Sequence, residues 1–131
     1  MSTTRTLLLT GVVSGFIMVC LGAFGAHVLK EILSPQMLGV WQKAVSYQGT
    51  HSFAILICGI CAMQMSNKPA FILSGWLFTI GIVCFSGSLY LIALSGQKLL
   101  GLLTPIGGIA FLAGWITLGI GFAKQPESDQ Q

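Results

Sequence analysis

A chain of 131 residues that is 54% hydrophobic and 7% charged, with a mean hydropathy of +0.88, cannot cover a soluble domain with polar groups. It reads as an integral membrane protein with room for about four spans at roughly 20 residues each. The net charge of +3 is dispersed as Arg5, Lys30, Lys43, Lys68, Lys98 and Lys124, each beside an apolar run. That pattern suits headgroup anchoring and excludes a basic patch for nucleic acid.

The first apolar run, residues 7–27, follows a short polar lead and is long enough to span. A signal peptide is the rival reading, but the run is long for one and its removal would leave an odd number of spans. Gly11, Gly15, Gly22 and Ala26 fall on one small-residue stripe that would admit a neighbouring helix. Lys30 and Glu31 close this run. Ser34-Pro35 then reads as an N-cap followed by proline in the first turn.

Residues 35–50 are amphipathic, with Gln36, Lys43, Tyr47 and His51 on one side and Met37, Val40, Trp41, Ala44 and Val45 on the other. Residues 51–65 continue as a short apolar span, so 35–65 reads as one helical stretch that lies in or rises through the interface before crossing, with Gly49 as its bend. Cys58 and Cys61, four residues of one helix turn inclusive, read as small hydrophobes, as do Cys20 and Cys84.

Ser66-Asn67-Lys68-Pro69 is a turn, and residues 71–94 form the third span, where Ser74, Gly81, Ser88 and Ser95 recur every seven residues. The fourth span, 101–122, has Thr104-Pro105 either at its start or as an early kink and carries a second small-residue seam of Gly107, Ala110, Gly114, Thr117 and Gly121. Residues 124–131 form a polar tail with Glu127 and Asp129. No internal repeat is visible, which weighs against an inverted-repeat transporter.

Four antiparallel spans bring the end of the first, the start of the second, the end of the third and the start of the fourth to one side of the membrane. That side collects His27, Trp41, Lys43, Tyr47, Gln48, His51, Ser86, Ser88, Tyr90, Ser95, Gln97, Lys98 and Thr104. Polar groups at membrane depth cost free energy unless paired, so the grouping reads as a hydrogen-bond network or a small-molecule site. Two histidines in one helical hairpin admit a haem or metal reading; the plainer one is that each imidazole satisfies a local carbonyl or Tyr47. Tyr47 and His51 share a helix face, and such a pair beside Trp41 would suit a quinone carbonyl. No nucleophile, base and orienting group occur together, so no enzyme is expected. No span centre carries a carboxylate or arginine, which weighs against an ion path within one subunit.

The strings LGAFGAH (21–27), WQKAVSYQGTH (41–51), FSGSLYLIALS (85–95) and TPIGGIAFLAGW (104–115) resemble the domain-of-unknown-function 423 family of small bacterial inner-membrane proteins, and the eukaryotic transmembrane protein 256 group is similar. The resemblance covers most of the chain in order. It implies four membrane spans and places His27, Trp41, Tyr47, Gln48, His51, Ser86, Ser88, Tyr90, Thr104, Pro105, Gly107 and Gly108 at motif positions, and it implies no mechanism. The cysteines lie outside that pattern.

The expectation is therefore an all-α bundle of four transmembrane helices in a bacterial inner membrane, without a cofactor or metal. It contacts the lipid bilayer and either copies of itself or a larger membrane complex, as a non-enzymatic structural or assembly partner. The alternatives are a quinone or haem binder at His27, Tyr47, His51 and Tyr90, and an oligomeric channel or small-solute carrier. Arg5, Lys68 and Lys124 at the terminal side balance Lys30, Lys43 and Lys98 at the other, so charge leaves orientation open; both termini are taken as cytoplasmic.

Overall fold

The computed structural model describes residues 2–126. The described residues form four long helices: α1 (Thr3–His27), α2 (Pro35–Gln64), α3 (Lys68–Ser95) and α4 (Leu103–Ala123). Short 3-10 turns at Leu29–Glu31 and Lys98–Leu102 extend the ends of the first and precede the last. Each long helix with its extension is apolar and long enough to cross a membrane. The expected tail residues 127–131 lie outside the described residues.

The helix ends follow local chemistry. Ser34 Oγ accepts from the Met37 N–H at 3.2 Å, with Pro35 in the first turn, as the Ser-Pro pair predicts. Gly96, at φ 69°, ends α3 in the left-handed conformation that glycine adopts without a Cβ clash. Gln125 Oε1 accepts from the Ser66 N–H at 3.0 Å, so the chain beyond α4 meets the α2–α3 turn at one end of the bundle.

Residues 35–64 form one helix of 30 residues, about 45 Å long. This exceeds the roughly 30 Å hydrocarbon core, so α2 rises through one interface and crosses without interruption. At Gly49, where a bend is expected, the helix is continuous and another helix comes close. Gly49 is buried inside the unbroken helix, and a β-carbon there would stand 3.1 Å from Met18.

Alpha-2 and α3 form the centre, with α1 lying mainly on α2 and α4 mainly on α3. Large side chains seat on glycines of the facing helix. Leu56 covers Gly11, Leu8 covers Gly59 and the Trp41 indole covers Gly25 across the α1–α2 pair. Across α3–α4, the Phe71 and Phe78 rings meet Gly121 and Gly114, the backbone at Phe85 meets Gly107, and the Phe111 ring returns the contact on Gly81. The α3–α4 set steps by seven along antiparallel helices, so one register satisfies every pair in it. The seam expected on α4 is thus the set of holes for a phenylalanine row on α3, with Ala110 buried beside it.

The α1 stripe needs correction. Gly15 faces open space, Gly22 makes only an ordinary contact with Val45, and Ala26 is exposed. The contact is made one position away, at Gly25, because the buried line of α1 runs Leu7, Gly11, Gly25. On α3, Ser74, Gly81 and Ser88 are buried, while Ser95 is exposed.

Alpha-3 widens to a π turn at Ile82–Ser86. At this turn the Phe85 backbone comes close to Gly107 while its neighbour Ser86 donates to the Ala44 carbonyl of α2 at 2.8 Å. Ser74 similarly donates to the Gly114 carbonyl at 2.7 Å. Ser74→Ala is expected to cost about 1 kcal/mol, read as a lower midpoint on SDS titration; an unchanged midpoint would show the bond to be dispensable.

Candidate functional site

The polar residues on the expected face divide into two groups on adjacent faces of α2. The first joins three helices through Gln48, which is 4% exposed. Its Oε1 accepts from the Tyr90 hydroxyl at 2.7 Å, and its Nε2 donates to the Ser14 carbonyl at 3.0 Å. That carbonyl only accepts, so the amide orientation is determined. Ser52 Oγ lies 2.7 Å from both Ser14 Oγ and the Gln48 carbonyl. Trp41 caps the group. Its indole N–H donates to the Leu21 carbonyl at 2.9 Å, and its ring meets Tyr90 edge-on at 4.6 Å.

The second group is aromatic and lies between α2 and α4. His51 stacks on Phe111 with ring centroids 3.5 Å apart and an interplanar angle of 10°, and Tyr47 packs on Phe85 at 4.4 Å. Nδ1 of His51 stands 2.7 Å from the Tyr47 carbonyl, so it carries the proton. Nε2 accepts from the Trp115 indole at 3.2 Å. Both ring nitrogens are therefore engaged, and His51 is a neutral imidazole with one tautomer defined by its partners.

The remaining candidates are separate. Ser86 reaches the Ala44 carbonyl, and Ser88 pairs with Thr104 at 2.7 Å while also donating to the Phe85 carbonyl. His27, Lys43, Gln97 and Lys98 are exposed. No buried side-chain nitrogen or oxygen among the described residues lacks a hydrogen-bond partner.

The combination of His27, Tyr47, His51 and Tyr90 is corrected by this geometry. His27 ends α1, whereas His51 lies sixteen residues into α2, about 24 Å along it, so the histidines are not at similar depth. Tyr47 and Gln48 are adjacent in sequence but about a quarter-turn apart around the helix, so Tyr47 joins His51 in the aromatic group and Tyr90 joins the other. Among the described residues no three of His, Cys, Asp and Glu approach closely enough to hold a metal. Sequence reading missed Ser14, Ser52, Phe85, Phe111 and Trp115. Ser14 follows Gly11 at helical spacing on the buried side of α1, which is a usable signal; nothing local links Trp115 to His51.

Two open clefts flank the central pair. One of about 410 Å3 runs between α1 and α3, bordered by Thr6, Thr10, Val13, Gln48 and Thr79. The other, of about 470 Å3, lies against the aromatic group and is bordered by Tyr47, His51, Gly108, Phe111 and Trp115.

Four apolar helices closed by internal hydrogen bonds define a small multi-pass membrane protein. The profile of a family described as a protein of unknown function, DUF423, matches residues 21–108. The chain is 42% identical over 120 residues to the UPF0382 membrane protein of Staphylococcus saprophyticus, covering 92% of this chain and 98% of that protein. It is 44% identical over 119 residues to the UPF0382 inner membrane protein YgdD of Escherichia coli K12, covering 91% and 90% respectively. The chain belongs to the DUF423/UPF0382 family of small membrane proteins. No solved structure matches it.

Proposed function

We propose that the protein acts without catalysis, as a rigid four-span bundle that associates in the bacterial inner membrane with a second copy or a larger membrane complex. The observation that carries this reading is the closed interior. Gln48, Tyr90, Ser14 and Ser52 satisfy one another, and His51 spends both nitrogens inside the bundle. The interior histidine is thus held as a structural group and is not poised as a base. Outward, α1 and α4 present Val12, Phe16, Val19, Ile109, Leu112 and Ile116, apolar surface for lipid or another helix.

The inner-membrane assignment draws on the relative described as an inner membrane protein. We place both termini in the cytoplasm, with Arg5, Lys68 and Lys124 at that end. A fluorescent reporter fused after Gln131 is expected to be active and a periplasm-dependent phosphatase inactive; the reverse result would invert the topology.

Native extraction with polymer discs followed by mass analysis tests association. A co-purifying membrane protein or a defined oligomer is expected, and recovery of a bare monomer would overturn the reading. A pore through a single bundle has little support, since its centre is filled by Leu7, Ile55, Phe71 and Phe78, all fully buried; an oligomeric channel would need its path between copies.

A further inference from the structure

We propose that the cleft between α2 and α4 binds a quinone-class lipid, a flat carbonyl-bearing ring on an apolar chain. The proposal is independent of the association reading, which rests on the closed interior. The cleft has about 470 Å3 of space against Tyr47, His51, Phe111 and Trp115, enough for a substituted ring. Tyr47 lies twelve residues into α2, about 18 Å along a helix of about 45 Å, so the opening faces hydrocarbon and admits what is dissolved in the bilayer.

The hydrogen-bonding character of the cleft selects the ligand. The Tyr47 side chain is 42% exposed, and among the described residues its hydroxyl makes no hydrogen bond; only its backbone carbonyl is used, by His51. A phenol left unpaired at that depth is costly. Trp115, 45% exposed, holds its N–H on His51 Nε2 over a long 3.2 Å contact. His51 has no second proton to offer, because the one on Nδ1 is committed. The available valence is thus a free O–H and a loosely held N–H, which complement an acceptor. Quinone carbonyls accept only. No lysine, arginine or other cation borders the cleft to hold a phosphate or carboxylate, and an acyl chain would leave both donors unused.

The walls suit a ring. His51 and Phe111 stack on each other at 3.5 Å and are each 4% exposed, so the aromatic surface open to the cleft comes from Tyr47 and Trp115. Gly108 also borders it, and a β-carbon on Gly108 would meet nothing within 4 Å, so a larger side chain there would occupy the cleft without disturbing the helix pair.

The test is titration of the purified chain in phosphatidylcholine nanodiscs with decylubiquinone, followed by tryptophan fluorescence. A saturable component is expected above the linear quenching due to partitioning. Tyr47→Phe should weaken it about five- to tenfold, the effect of one hydrogen bond. Gly108→Leu retains all three tryptophans and should leave only the linear part, with an unchanged far-UV spectrum. Decylbenzene, with the ring and chain but no carbonyl, should fail to displace the quinone at equal concentration. Linear quenching in the parent chain, unchanged affinity in Tyr47→Phe, saturable binding retained in Gly108→Leu, or displacement by decylbenzene would each overturn the proposal, the last in favour of a groove for lipid chains. If Gly108→Leu does not fold, the Tyr47→Phe and decylbenzene results decide.

Discussion

Gly107→Ala is expected to destabilise the bundle by about 1–3 kcal/mol, whereas Gly108→Ala should leave it unchanged or stabilise it by up to about 1 kcal/mol. The β-carbon added at Gly107 would collide with the Phe85 backbone nitrogen and lie 2.8 Å from its α-carbon. Backbone in the middle of a helix cannot swing aside, so relief requires α3 and α4 to separate. Separation would also loosen the two neighbouring aromatic seats, Phe78 on Gly114 and Phe71 on Gly121. At Gly108 the added methyl has open space and only removes backbone freedom from the unfolded state. Unfolding in mixed micelles by SDS, followed by far-UV circular dichroism, measures both variants. Equal midpoints for the two would mean that the α3–α4 contact is not set by glycine holes.

Gln48→Leu should cost about 2–3 kcal/mol, because it removes the acceptor of a half-buried phenol and the donor to Ser14 together. A leucine fills the same space, so a cavity is not the cause. The double variant Gln48→Leu with Tyr90→Phe should regain about 1 kcal/mol, since the unpaired hydroxyl is then gone. Tryptophan emission gives a second readout, because Trp41 packs edge-on against Tyr90. Additive losses in the two single variants would show that the Tyr90–Gln48 bond carries no coupling, and the three-helix network would lose its energetic role.

The candidate residues were legible as polar positions in apolar helices, yet their partition was not. Tyr47, Gln48, His51 and Ser52 lie on one stretch of α2, and which neighbour each meets depends on helices more than thirty residues away. Gln48 stands out in the sequence while its partners Ser14 and Ser52 do not, because a serine in an apolar run looks the same whether it bonds its own helix or another. The same holds for glycine. Gly15 and Gly25 are equally small, but only Gly25 lies beneath an indole.

Span number, helix polarity, the Ser34-Pro35 start of α2 and the seven-residue rows on α3 and α4 follow from residue order alone. Their causes are local, namely hydrocarbon length, backbone capping and the period of the α-helix. The register that seats phenylalanines on glycines, the π turn that aims Phe85 and Ser86 at different helices, and the separation of a closed polar network from an aromatic cleft belong to the tertiary structure. They arise from which surfaces of different helices come within a few ångströms, a distance that one-dimensional spacing does not contain.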